Sequence, residues 1–160
     1  MAILAWPLTL ALALAGGASH MTDGFAYSRD TLAGIPGQGS RTLETTYFIY
    51  VLQRKGAPAP RDASVWLKGE HHAATVRKVD SPVLVEHDPV LPAGKKDTLV
   101  PVTPSDVYQI VPGDPLDRSP ADEERQAVAS HDVVVCLSFD GSVRRVTIKT
   151  LQPLRPAPGR

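Results

Sequence analysis

The chain has 160 residues, with 17 Lys+Arg balanced by 17 Asp+Glu, 42% hydrophobic and 21% charged residues. This is the composition of a folded domain rather than a disordered chain, and the length suits one domain with its own core. Zero net charge lacks the basic excess of a nucleic-acid binder, and the single Cys excludes an intramolecular disulfide framework or a Cys-cluster metal site. The 15 Pro, 12 Gly and absence of Asn carry the codon bias of a GC-rich genome; without Asn there is no N-glycosylation sequon.

Residues 1–18 hold no charged side chain. The apolar run Leu8-Thr9-Leu10-Ala11-Leu12-Ala13-Leu14-Ala15 is followed by Gly16-Gly17-Ala18, which has the form of a signal peptide with small residues at its cleavage region. The expectation is cleavage after Ala18, with Ala15 as the second choice, and a periplasmic or secreted bacterial protein. No Cys follows the run, so a lipoprotein is not expected. The segment Met1–Trp6 lacks the Lys or Arg with which such leaders usually start. Two readings therefore stand beside the first: an uncleaved anchor, and translation from Met21, which would leave a cytosolic β-domain.

Residues 19–42 show neither the strand period of 2 nor the helical period of 3.6. They read as a flexible N-terminal lead, with an extended piece around Phe25-Ala26-Tyr27. The run Tyr47-Phe48-Ile49-Tyr50-Val51-Leu52 is β-branched and aromatic on both alternating faces, which predicts a central strand covered on both sides. Gly56-Ala57-Pro58-Ala59-Pro60 ends it. Ser64–Lys68 and His71–Val79, separated by Gly69-Glu70, predict a hairpin. Pro82–Glu86 follows as an edge strand with Pro at its start, then a turn at Pro92–Asp97, then strands at Thr98–Val102 and Asp106–Val111.

Pro112-Gly113-Asp114-Pro115 reads as a turn cluster. Ser119-Pro120 followed by Asp122, Glu123 and Glu124 predicts a short helix over 120–128 with Ser119 as N-cap, polar all round. The strongest local signal is Asp140-Gly141 between His131–Phe139 and Ser142–Thr150: a type I′ hairpin with both turn residues at positive φ, apolar on one face and wet on the other. Residues 153–160 form a Pro-rich tail. The whole predicts an all-β fold: an immunoglobulin-like antiparallel β-sandwich over 43–152, with seven to eight short strands and one short helix.

The chemistry is sparse. His71 and His72 are adjacent, so on a strand they point to opposite faces and cannot ligate one ion together. His87, with Glu86 and Asp88, is the other candidate ligand group. Neither a G-x-S-x-G elbow nor a G-x-x-x-x-G-K-[ST] loop is present, and the 122–124 acids are explained by the helix dipole. Cys136 reads as a buried, unreactive thiol. Trp66 marks either a binding patch or a second buried layer, and Arg144-Arg145 reads as solvated edge charge. No catalytic, cofactor or metal residue is assigned. The expected function is a non-catalytic binding or structural-interaction module of a bacterial envelope, whose partner is another envelope protein or a glycan. The alternative is a small periplasmic hydrolase or metal-dependent enzyme using His71/His72, His87 and nearby carboxylates.

Overall fold

A computed structural model describes residues 21–33, 42–86 and 94–155. In chain order these form strands β1 (Met21–Ala33), β2 (Thr42–Gln53), β3 (Asp62–Leu67), β4 (Glu70–Val79), β5 (Val83–Glu86), β6 (Lys96–Val100) and β7 (Asp106–Pro115), helix α1 (Asp122–Ser130), and strands β8 (Val133–Phe139), β9 (Ser142–Ile148) and β10 (Gln152–Pro153). The protein is mostly β, as its β-branched runs and frequent Pro and Gly predict. Hydrogen bonding runs continuously through eight strands in the order β10-β1-β2-β7-β4-β3-β8-β9, with β5-β6 as a separate ribbon. All these pairings are antiparallel except β10 on β1.

The sheet curls so that its two ends meet. Gly24 on β1 lies against β9: a Cβ there would sit 3.0 Å from Ile148 Cδ1 and 3.2 Å from Val146 Cγ1. Glycine is what lets the two backbones approach. Opposed inner faces are therefore brought together by the curl of one sheet, not by two separately bonded sheets. The inner core holds Ala26, Ile49, Val51, Val65, Leu67, Ile110, Val133, Val135 and Leu137, drawn from alternate positions of successive strands.

Two further apolar layers cover the outer face. Tyr50, Leu52, Leu99, Val100 and Val107 bury themselves between the sheet and the β5-β6 ribbon. This makes β2 a strand covered on both sides, as its doubly apolar pattern predicts. Trp66, Val134 and Cys136 lie under Ala127 and Val128 of α1.

Several expectations change. Residues 21–33, read as a flexible lead, form the thirteen-residue strand β1. Its inward Gly24 and Ala26 are small and its outward Phe25 and Tyr27 large, so no simple polar/apolar alternation announces it. The ordered sheet thus begins before residue 43, and Pro153 in the supposed tail pairs through β10 with β1. The proposed leader over 1–18 lies outside the described residues.

The helix begins at Asp122 with Ala121, not Ser119, at its N-cap; the Ala121 N–H donates to Glu124 Oε2 at 3.1 Å, so the third helical residue supplies the cap. Its face is not wholly polar, because Ala127 and Val128 pack inward. That packing buries the outer face of β8 as well as the inner one, so β8 is not one-side-wet. Only β9 keeps that pattern, with Val146 and Ile148 buried and Thr147 exposed.

Among the described residues Lys68 alone is a non-glycine with positive φ, 48°, followed by Gly69 at 90°. The doubly positive turn therefore belongs to the β3–β4 hairpin, closed by Leu67 opposite Glu70. In the β8–β9 turn only Gly141 is positive, at 76°, while the Asp140 carboxylate is held by Arg61 at 2.8 Å. Finally, Pro112–Pro115 extends β7 instead of turning, its prolines accommodated beside a register shift between His72 and Ala74.

Candidate functional site

The histidines do not converge. His71, opposite Trp66, lies on the outer face with its ring stacked on the indole at a centroid distance of 4.4 Å. It is buried, and neither ring nitrogen has a hydrogen-bond partner. Burial lowers its pKa, and the nearby Arg118 cation lowers it further, against a smaller opposing pull from Glu124. His72, on the other side of the strand, places Nδ1 3.2 Å from the Gly113 carbonyl oxygen. His87 lies outside the described residues. Among the described residues no three His, Cys, Asp or Glu side chains are grouped to hold a metal ion. Trp66 is the buried second layer rather than an exposed patch.

Two of the polar concavities among the described residues bear on function. The larger, about 500 Å³, lies on the outer face between α1 and strands β3, β8 and β9. Both of its arginines are held by α1. Glu124, buried at the start of α1, takes Arg118 Nη2 at 3.0 Å as well as its own cap N–H. Arg145 Nη1 donates to the Glu123 carbonyl at 2.6 Å. Cys136 lies on its floor with Sγ 3.9 Å from Glu124 Oε1, and burial, assisted by that carboxylate, pushes the thiol pKa up. A thiol held protonated is a poor nucleophile, in line with the buried, unreactive Cys136 expected. The cleft is a structural joint that pins α1 to the sheet.

The smaller concavity, about 220 Å³, is the mouth of the curled sheet. It is lined by Gln53, Pro58, Phe139, Asp140, Ser142 and Arg144. Each functional side chain arrives there by strand geometry. Ile49 and Val51 point into the inner core, so Gln53, two residues further along β2, continues the same inward row. Leu137 faces Arg144 across the β8–β9 ladder, and directly opposed residues share a face. Arg144 therefore enters the inner side at the rim.

Arg144 stacks its guanidinium carbon 5.3 Å from the centre of the Phe139 ring. Such a contact is favourable and fixes the plane of the cation. Gln53 is 1% exposed, and its Nε2 donates to the Pro58 carbonyl at 2.8 Å. That bond fixes which way the amide points. Gln53 Oε1 and Arg144 Nη1 are both buried and both lack a hydrogen-bond partner. An unpaired acceptor and an unpaired charged donor at one mouth each cost about 1–3 kcal/mol or more.

Arg144 is thus not solvated edge charge, whereas Arg145 is a surface cation held by α1. The pattern carried a usable signal for both mouth residues. Counting back from the Asp140-Gly141 turn puts residue 144 opposite residue 137, and Gln53 ends the inward row of β2. What the pattern lacks is the curl that brings the two rows to one place.

No family model, curated protein or solved structure matches the chain. Among the described residues no helix is long and apolar enough to cross a membrane.

Proposed function

We propose that the chain is an exported, non-catalytic binding module of a bacterial cell envelope. On this reading a small, sandwich-like β scaffold holds part of an envelope protein or glycan at the mouth of its curled sheet. The observation that carries it is the mouth itself, where an aromatic ring, an oriented guanidinium and a fixed amide converge and two buried polar atoms await partners. Buried polar groups are normally paired, and a ligand is one partner that can satisfy those that are not. The apolar leader with its small residues supports export.

Two measurements test the reading. N-terminal sequencing of protein fractionated from the native host should give a start near Ser19 in the envelope fraction; a cytosolic protein starting at Met21 would end the envelope assignment. A photo-crosslinking side chain at Ser142 should capture a specific envelope component that Arg144→Gln releases. Crosslinking that ignores Arg144→Gln would end the mouth assignment.

A further inference from the structure

We propose that the mouth recognises a small monocarboxylate whose neighbouring carbon carries an N–H or O–H, the carboxylate binding Arg144 and the donor binding Gln53. The inference rests on the reading of the mouth as a binding site and adds the chemistry of its ligand.

The charge comes first. Arg144 brings one half-buried guanidinium with an unpartnered Nη1, and the other ionic group at the rim, Asp140, is already held by Arg61 at 2.8 Å. One unpaired planar cation in a partly dry setting matches one carboxylate, whose two oxygens fit the guanidinium fork. A phosphate dianion would bring a second negative charge with no cation to meet it.

The amide then narrows the class. Because Gln53 Nε2 is committed to the Pro58 carbonyl, what remains unpaired is its oxygen, a pure acceptor. A ligand offering only acceptors, such as a simple fatty carboxylate, would leave that oxygen orphaned. A carboxylate with an adjacent amide N–H or hydroxyl carries a partner of the right kind for each orphan. Phe139 and Pro58 supply apolar walls, so a short apolar substituent on the same carbon has a place to lie. About 220 Å³ holds a group of this size and little more. The two sources of this chemistry are an acylated amino-acid end and a hydroxy acid.

The test uses the full mature chain, with amide and Arg side-chain NMR resonances of residues 139–144 as reporter and the thermal midpoint as second readout. The probes are N-acetylalanine and lactate, which carry both groups; N-acetylalanine methylamide, which lacks the carboxylate; propionate, which lacks the donor; and inorganic phosphate. N-acetylalanine or lactate should bind about tenfold or more tightly than the last three, the loss expected when a buried polar group is left unpaired or a second charge goes unmatched. The tighter of the two identifies the source. Arg144→Gln should abolish the preference for the acid over the methylamide, and Gln53→Met the preference over propionate; Arg144→Lys should keep part of the first. If the methylamide and propionate shift the same resonances as strongly as the acids, the mouth binds but the proposed class is wrong. Phosphate binding as tightly as the acids would also overturn the class. If no probe shifts residues 139–144, both the class and the binding site fall.

Discussion

The cleft beneath α1 and the mouth of the curled sheet both hold Arg, Asp and Ser side chains and differ in how their polar groups are spent. In the cleft, Arg118 meets Glu124 and Arg145 meets the Glu123 carbonyl, so the charges tie α1 to the chain that leads into it and to β9. In the mouth, Arg144 and Gln53 each keep a buried polar atom without a partner. The cleft is larger by more than twofold, about 500 against 220 Å³, yet volume is the poorer guide. Polar groups that satisfy each other stabilise the fold, whereas groups that do not weaken it unless something binds.

The sharpest way to press this contrast is a single cross-strand pair. Leu137 and Arg144 face each other on β8 and β9. Leu137→Ala removes a fully buried side chain from the inner core and should cost about 2–5 kcal/mol in chemical denaturation. A loss below about 1 kcal/mol would mean that the core can collapse around the site.

The next largest effect belongs to the cleft. Glu124→Ala strips the partner from the Ala121 N–H and from Arg118, and should cost about 1–3 kcal/mol with visible fraying of α1 by amide exchange. An unchanged helix would show that the joint is ornamental and that cleft and mouth do not differ in kind.

Acid should act on the outer layer through His71. Its folded pKa lies below the ordinary imidazole value, so above about pH 6.5 both folded and unfolded forms are neutral there and stability does not depend on it. As pH falls through the window between that value and the lower folded one, the unfolded chain takes up a proton that the folded chain refuses, and stability drops. His71→Phe keeps a ring against Trp66 and should flatten this part of the profile relative to the native chain in urea midpoints taken at successive pH values. Parallel profiles would mean that His71 takes up its proton as easily in the fold as in water.

The smallest effect is predicted at the mouth. Arg144→Met keeps the stem over Phe139; it removes the unpaired donor but also the cation–π contact, so the two largely offset and the thermal midpoint should hold or rise, by about 1 kcal/mol at most. A loss comparable to that of Glu124→Ala would place Arg144 among the structural contacts and make the mouth a joint like the cleft.

Much of the local structure was legible in the residues. The doubly apolar run at 47–52 announced a strand buried on both sides, because a central strand needs both faces apolar. The Pro-Gly punctuation and Asp140-Gly141 announced short antiparallel strands, because turn chemistry is local. The opposed directions of His71 and His72 followed from the pleat alone.

What the chain kept hidden depends on contacts made at a distance. Met21–Ala33 became a strand because β2 offers it a ladder and because Gly24 lets β9 close against it. Trp66 and Cys136 were buried by a helix whose own apolar face is only Ala127 and Val128, too small to be seen as a stripe. Arg144 and Gln53 are 91 positions apart and meet at one mouth only because the sheet curls. Periodicity and turn residues are set by nearest neighbours along the chain, so sequence determined which segments are strands and which way their side chains alternate. Which rows of side chains face each other is set by the order and curl of the sheet, and only the tertiary structure decided that.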